Sequence, residues 1–122
     1  DAFIKGILCN FLVCIAVWIS FAAKEVVSKI VGLFFPIMMF VLCGFEHSIA
    51  NMYYISSGLF AKTNATYVQA ATDAGVDLTN LTWGNFFSKN LLPVTLGNIV
   101  GGAICVGCAY WFIYLRKAKK AA

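Results

Sequence analysis

The chain has 122 residues, of which 61% are hydrophobic and only 11% are charged, and its mean hydropathy is +0.85. About a quarter of the residues in a soluble domain are charged, so this composition indicates a membrane protein and excludes an ordinary soluble domain. The formal net charge is +4, and four of the nine basic residues lie in the last seven positions: Arg116, Lys117, Lys119 and Lys120. Because they directly follow an apolar segment, they predict a cytoplasmic tail over 116–122 and not a nucleic-acid partner.

The first predicted membrane span covers about residues 3–23. Its core, GILCNFLVCIAVWISFAA (6–23), contains no charged residue and is long enough to cross a bilayer. Asn10 is the one strongly polar residue inside it. The polar segment KEVVSK (24–29) then predicts a short connection to the next span.

The second apolar region, 30–61, is too long for one simple span. As a single helix it would measure about 48 Å at about 1.5 Å per residue, against about 30 Å of hydrocarbon. Glu46 and His47 stand side by side in its middle, where ionisable groups are costly. We therefore predict a broken span with half-helices over about 30–43 and 49–60. Irregular backbone inside a membrane occurs where it lines a cavity or is buried in protein.

The next stretch, 62–92, is the one substantial polar segment and predicts an external loop. Within it, residues 82–93 alternate aromatic and polar side chains at near-helical spacing. This pattern indicates a short interfacial helix capped by Thr82. Pro93 is expected to open the third span, 93–115, because proline is tolerated in the first turn of a helix.

Small residues inside the spans predict close helix packing. Gly97 and Gly101 form a GxxxG pattern, which lets a neighbouring helix approach backbone to backbone. The CxxC pair in the same span is also interpreted as packing and not as a metal or redox site. An odd number of cysteines, all within apolar segments, argues against a disulfide framework: Cys9, Cys14, Cys43, Cys105 and Cys108.

The distribution of lysine and arginine predicts the orientation of the spans. Cations at 24–29 and in the C-terminal tail favour the cytoplasmic side, which leaves the 62–92 loop outside. The C-terminus is then cytoplasmic, and three crossings begin on the outside at Asp1. Since the sequence also lacks an initiator methionine, we expect it to be part of a longer polypeptide.

Four segments, in order, carry a resemblance to one family of membrane proteins. They are GILCNFLVCIAVW (6–18), GFEHSIANMY (44–53), NLLPVTLGNIVGG (90–102) and YWFIYLRK (110–117). Together they resemble the second half of a formate/nitrite transporter, a family that includes formate, nitrite and hydrosulfide channels. The resemblance covers nearly the whole chain apart from 62–81.

The resemblance implies an all-α membrane fold. Members of the family have six membrane helices per protomer in an aquaporin-like inverted repeat, and they assemble as homo-pentamers with one pore in each protomer. On that template residues 1–122 are the C-terminal half of a single transmembrane channel domain, with three transmembrane helices of which the middle one is broken. The N-terminal half would come from the rest of the same protein, so this chain alone is not expected to conduct.

The resemblance also implies roles for four residues of the pore. His47 matches the central pore histidine of the family, and Asn10 matches a polar residue that faces the same chamber. Val13 and Phe40 match apolar residues at the pore constrictions.

Three further polar residues are expected near the break in the middle helix. Glu46 and Asn51 resemble family residues that brace this loop through hydrogen bonds. An ionised carboxylate in the pore would repel an anion, so Glu46 is expected to point away from the pore or to be neutral. Asn98, in the glycine-rich part of the third span, is expected to brace the break or to face the pore.

A histidine beside a half-helix suits the passage of a small anion. The helix N-terminus near 48–51 would offer backbone N–H groups and a partial positive charge. His47 adds a donor when neutral and a full charge when protonated, and imidazole changes its charge near cellular pH. We therefore predict a channel for small monovalent weak-acid anions (formate, nitrite or hydrosulfide) that pass the apolar rings as the neutral acid. Whether His47 supplies that proton or only attracts the anion stays open.

The predicted channel performs no covalent chemistry, so we expect neither an enzyme nor a cofactor or metal site. The expected partners are small inorganic or carboxylate anions, the lipid bilayer and copies of the same protein, and the expected location is the bacterial inner membrane. An alternative is a membrane-anchor subunit of a redox enzyme, although one histidine cannot supply a bis-His haem site. A membrane enzyme that used Glu46 and His47 would lack a nucleophile or metal set near the pair.

Overall fold

The computed structural model describes residues 1–116, and these residues form five helices without a strand. We number the helices α1 to α5: Ala2–Ala22, Val26–Leu42, Ser48–Ala61, Ala65–Asp73 and Trp83–Leu115. By length and composition, α1 and α5 are each able to cross a membrane, and α2 is a shorter apolar helix. Three basic residues of the predicted tail lie outside the described residues: Lys117, Lys119 and Lys120.

Helices α1 and α5 pack against each other with their backbones in contact. A methyl group added to Gly97 or Gly101 would collide with the carbonyl oxygens of Phe3 and Ile7, respectively. This is the close approach that the GxxxG spacing predicts. The contact is among the best buried parts of the chain, and fully buried residues occur on both helices: Cys9, Ala16 and Val94.

The same two helices run in parallel. The first turns of α1 meet α5 near residues 97–101. Further along both helices, the Trp18 ring lies 5.6 Å from that of Tyr110 and 6.0 Å from that of Tyr114, centroid to centroid. Since contacts advance in step along both helices, α1 and α5 end on the same side of the molecule.

A five-residue break separates α2 from α3, and Gly44 makes the turn. This glycine has a φ of +64°, a conformation that a residue with a Cβ rarely adopts. The N–H groups of Gly44 and Phe45 donate back to the carbonyls of Val41 and Phe40, at 3.0 Å each. This pair of bonds is a Schellman motif, which satisfies the last carbonyls of α2 before the chain changes direction.

The connection between the first two helices is shorter than the predicted one over 24–29. Helix α2 begins at Val26, so residues 23–25 alone join it to α1. The N–H of Lys29 donates to the carbonyl of Glu25 at 3.0 Å, and the first turn of α2 therefore forms inside the polar segment. Residues 26–29 of the polar segment therefore form the first turn of α2 and not a loop.

The predicted external loop contains a helix of its own. Asn64 caps the start of α4 with its side chain, and Gly75, with a φ of +72°, allows the chain to turn after its end. Lys62 then holds the following segment, because its Nζ donates to the carbonyls of Leu78 at 2.8 Å and Leu81 at 3.1 Å.

Helix α5 differs from the predicted pair of a short interfacial helix and a span opened by Pro93. It is one helix from Trp83 to Leu115, capped by Thr82 as expected. A widened, π-type turn over Phe86–Leu91 precedes Pro93, and the N–H of Leu92 donates to the carbonyl five residues back. Proline lacks an N–H and crowds the preceding turn, so a widened turn lets the helix continue past it.

Much of the apolar surface of this chain is uncovered. No residue of α2 is buried, and Ile30, Phe34 and Val41 are 61%, 56% and 62% exposed. Apolar surface on this scale is characteristic of contact with lipid or with further protein.

The substitution Gly101→Ala is expected to weaken the contact between α1 and α5. The added methyl would meet the backbone of Ile7, which cannot move aside as a flexible side chain does, and overpacking of this kind costs about 1–3 kcal/mol. Thermal unfolding of the complete protein in detergent should therefore occur at a lower temperature. Gly84→Ala is the matched control, because a methyl there meets no atom within 4 Å. Equal unfolding temperatures for both variants and the wild type would contradict the close contact.

Candidate functional site

His47 stands immediately before α3. Its backbone is extended (φ −112°, ψ 116°), and its Nδ1 accepts the backbone N–H of Ile49 at 3.2 Å. The imidazole ring lies 6.0 Å from the ring of Phe40, centroid to centroid. The end of α2 and the start of α3 thus bring an apolar ring and an imidazole to one side of the break.

Asn98 of α5 makes the central set of hydrogen bonds in this region. Its Oδ1 accepts the backbone N–H and the hydroxyl of Ser48, both at 3.0 Å. Its Nδ2 donates to the carbonyls of Gly6 at 2.8 Å and Glu46 at 3.0 Å. The side-chain amide, in a residue only 7% exposed, uses both N–H groups and both lone pairs. One side chain therefore joins α1, the break and α3 to α5.

The N-terminus of α3 has fewer free N–H groups than the sequence leads us to expect. The N–H of Ser48 is bonded to Asn98, and that of Ile49 is bonded to His47. Because these protein acceptors occupy the first donors, an anion nearby would meet the helix dipole and the imidazole. Since Nδ1 is the acceptor, a neutral His47 carries its proton on Nε2 and offers that N–H as a donor.

Asn10 is tied to the same region from α1. Its Nδ2 donates to the backbone carbonyl of Asn98 at 2.7 Å, and it lies directly against Gly102. The residue is half-buried. One of its two amide N–H groups is thus used for helix packing, and the second remains for another acceptor.

Glu46 belongs to a second cluster, which also includes Asn51 of α3 and Asn90 of α5. The Glu46 Oε2 accepts the Asn51 Nδ2 at 2.5 Å and the Asn90 Nδ2 at 3.3 Å. Asn51 also donates to the Asn90 Oδ1 at 2.8 Å. Three side chains therefore close a ring of hydrogen bonds between the break and the two helices behind it.

The two neighbours in the break, Glu46 and His47, face different surroundings. Consecutive side chains point to opposite sides of an extended backbone. Glu46 contacts the polar side chains of α5, whereas His47 lies beside Phe40. The carboxylate is thus directed toward the packed interior, and the imidazole is not.

The structure brings together most of the residues selected from the sequence. Phe40 adjoins this region through His47, whereas Val13 lies apart from it. Val13 lines an apolar groove of about 400 Å³ between α1 and α5, together with Trp18 and Tyr110. Five of the selected residues meet in one region around the break: Asn10, Glu46, His47, Asn51 and Asn98.

Two residues of the region, Ser48 and Asn90, were not among the site residues predicted from the sequence. Asn90 and Asn98 are eight positions apart, which is about two helical turns and places them near one face of a helix. Two amides at this spacing in an apolar helix are a signal that would have indicated a polar partner surface. Ser48 gives no such indication, because serine is common at the start of a helix whether or not it has a further role.

Within residues 1–116, no group of three or more His, Cys, Asp or Glu side chains is placed to hold a metal ion. All five cysteines are free. Cys9 is fully buried, but Cys105 and Cys108 are exposed. The expectation that the CxxC pair packs against another helix is therefore not met inside the described chain, where no helix covers it.

The chain is similar to known proteins in both sequence and structure. The family model described as formate/nitrite transporter matches residues 1–112. The chain is 47% identical over 117 residues to a probable formate transporter from Methanothermobacter thermautotrophicus. It is 44% identical over 119 residues to the formate channel FocA of Escherichia coli (strain K12). Each alignment covers 96% of this chain.

A solved structure described as a pentameric formate channel with formate bound has a similar fold, with a TM-score of 0.81 and 45% identity across 94% of this chain. The chain spans 36% and 42% of the two relatives and 46% of the solved chain. The chain belongs to the formate/nitrite transporter family.

The substitution Asn98→Ala is expected to lower stability strongly. It would leave the Ser48 N–H and the carbonyls of Gly6 and Glu46 without their partner, and each buried polar group left unpaired costs about 1–3 kcal/mol. The measurement is thermal unfolding of the complete protein in detergent. Asn80→Ala is the control, since that exposed side chain makes no hydrogen bond among the residues described. An Asn98→Ala protein as stable as the control would refute the central role of this amide.

Proposed function

We propose that the complete protein containing this chain is a channel for small monovalent weak-acid anions, with formate, nitrite and hydrosulfide as the candidates. The proposal rests on the position of His47, whose imidazole lies at the start of a half-helix beside Phe40. Membership of the formate/nitrite transporter family and the formate channels among the relatives support it. Such a protein moves its substrate without covalent chemistry and is not an enzyme.

The environment of the break lowers the cost of an anion inside the membrane. An unpaired charge is very costly in an apolar medium. The positive end of the α3 dipole points toward the break, and His47 and Asn10 each hold an N–H that the packing does not use. The Glu46 carboxylate is held on the other side by Asn51 and Asn90. An anion would therefore meet donors without facing a carboxylate.

Apolar side chains are proposed to block hydrated ions on either side of this chamber. Phe40 is the constriction next to His47, and Val13 is a second constriction on α1. A weak-acid anion that takes a proton from the adjoining aqueous phase passes such a ring as the neutral acid, because the desolvation cost falls with the charge. His47 is proposed to act through its Nε2–H, because its Nδ1 accepts the N–H of Ile49.

The assembled protein is proposed to be a homo-pentamer in the bacterial inner membrane. The pentameric formate channel with a similar fold supports the five-fold state. This chain would supply the C-terminal half of each protomer, and the N-terminal half would cover the exposed apolar faces and complete the pore. Because α1 and α5 end on one side, the cations Lys24, Lys29 and Arg116 share that side, which supports a cytoplasmic C-terminus.

Anion flux into liposomes containing the complete protein tests this function. The wild type is expected to pass formate, nitrite or hydrosulfide and to exclude larger anions. His47→Asn removes the imidazole but keeps a good cap for α3, whereas His47→Ala removes both. Loss of a hydrogen bond to a charged group costs about 1.5–3 kcal/mol, so both variants should show an apparent anion affinity at least about tenfold lower. His47→Ala alone should also unfold more readily.

Two results would contradict the proposal in different ways. No flux of any of these anions through correctly assembled wild-type protein would exclude the channel itself. Unchanged affinity and selectivity in both variants, with normal wild-type flux, would exclude His47 as the selective element. A haem absorbance band in the purified protein would favour the redox-anchor alternative.

A further inference from the structure

A crevice of about 360 Å³ lies between α3 and the first turns of α5, next to the 80–82 segment of the loop. It is separate from the His47 side of the break, and the proposed pore does not use it. Five polar residues line it, together with Ile55, Leu81 and Phe86: Asn80, Thr82, Asn85, Lys89 and Asn90. We call it the outer crevice, because the proposed topology places this end of α3 and α5 outside the cell.

Lys89 gives the outer crevice a positive charge. Within the described part of the chain, the one ion pair joins Asp1 and Lys5, so the Lys89 ammonium has no carboxylate partner there. Lys62, on the far side of the loop segment, is occupied by the carbonyls of Leu78 and Leu81. The charge that remains available to a ligand is therefore that of Lys89.

The Asp77 carboxylate of the loop does not form an ion pair with Lys89. The Asp77 carboxylate accepts the backbone N–H and the hydroxyl of Thr79, and these bonds hold its pKa below the usual range. Asp77 lines a different cavity, together with Lys62. The positive charge of Lys62 is thus matched by Asp77, while that of Lys89 is not.

The other polar groups suit a small anion and give the crevice a fixed shape. The Thr82 oxygen accepts the N–H of Asn85 at 3.2 Å, which leaves its hydroxyl proton free to donate. The Asn85 Nδ2 holds the Asn80 carbonyl at 3.0 Å and so fixes the loop over the crevice. Asn90 forms part of the lining, and its side chain bonds to Glu46 and Asn51.

We infer that the outer crevice is a binding site for a small monovalent anion on the external side, occupied before the anion reaches the pore. This inference rests on the proposed anion-channel function. The crevice is about ten times the volume of one water molecule, so the anion keeps part of its hydration shell there. A ligand of three non-hydrogen atoms binds no more tightly than about millimolar in such a site. The site therefore collects anions without retaining them.

Formate uptake into right-side-out membrane vesicles containing the complete protein tests this site. For Lys89→Gln the external half-saturation concentration should rise about two- to fivefold at low ionic strength, the size of an exposed charge interaction. The difference should disappear in about 1 M salt, where charges are screened beyond about 3 Å. The maximal rate should be unchanged, and Lys89→Arg should behave as wild type. Lys29→Gln is the matched control, because it removes the same charge at the opposite end of the fold.

Results that contradict the anion site differ from a result that contradicts the channel function. Identical half-saturation for Lys89→Gln and Lys29→Gln at low salt would overturn the site while leaving the channel in place. So would an effect of Lys89→Gln that requires anionic phospholipid in reconstituted vesicles, because Lys89 would then contact a lipid headgroup. No formate uptake by the wild type would contradict the proposed function itself.

Discussion

The rest of the structure depends on the hydrogen bonds of one buried amide, that of Asn98. A helix that stops inside an apolar environment leaves backbone N–H and C=O groups without partners, and each such group costs several kcal/mol in hydrocarbon. The Schellman turn at Gly44 satisfies carbonyls of α2, and Asn98 satisfies the N–H of Ser48 and the carbonyl of Glu46. The same side chain bonds to the carbonyl of Gly6, so the break and the α1–α5 contact stabilise each other.

This arrangement separates the two ionisable residues of the break. The close approach of α1 and α5 brings the polar face of α5 up to the break, and Glu46 turns toward that face to bond with Asn90 and Asn51. The extended backbone then directs His47 to the other side, beside Phe40. A carboxylate next to the imidazole in one chamber would cancel the attraction for an anion. Bracing the break and keeping the carboxylate out of the proposed pore are thus two results of one packing arrangement.

Sequence reasoning succeeded where a local pattern had one physical solution. An apolar region too long for a span, interrupted by Glu46 and His47, requires a break, and GxxxG requires a close neighbour. It did not give details that depend on distant partners or on local relief of strain. Asn98 was expected to brace the break or to face the pore, but no local rule pairs it with Gly6 or Ser48, 92 and 50 positions away. Pro93 predicted a helix start, but a widened turn before it removes the clash that the rule assumes.

The capping of α3 by its own protein groups has a consequence for the proposed transport. An open helix N-terminus with several free N–H groups is a strong anion site, and a channel that bound its substrate strongly would release it slowly. Conduction requires binding that is favourable enough for the ion to enter and weak enough for it to leave. Asn98 and His47 occupy the N–H groups of Ser48 and Ile49 at the start of α3, so the dipole remains while fewer direct donors are left for an anion. The hydrogen bonds that make the break stable therefore also keep the proposed anion site weak enough to conduct.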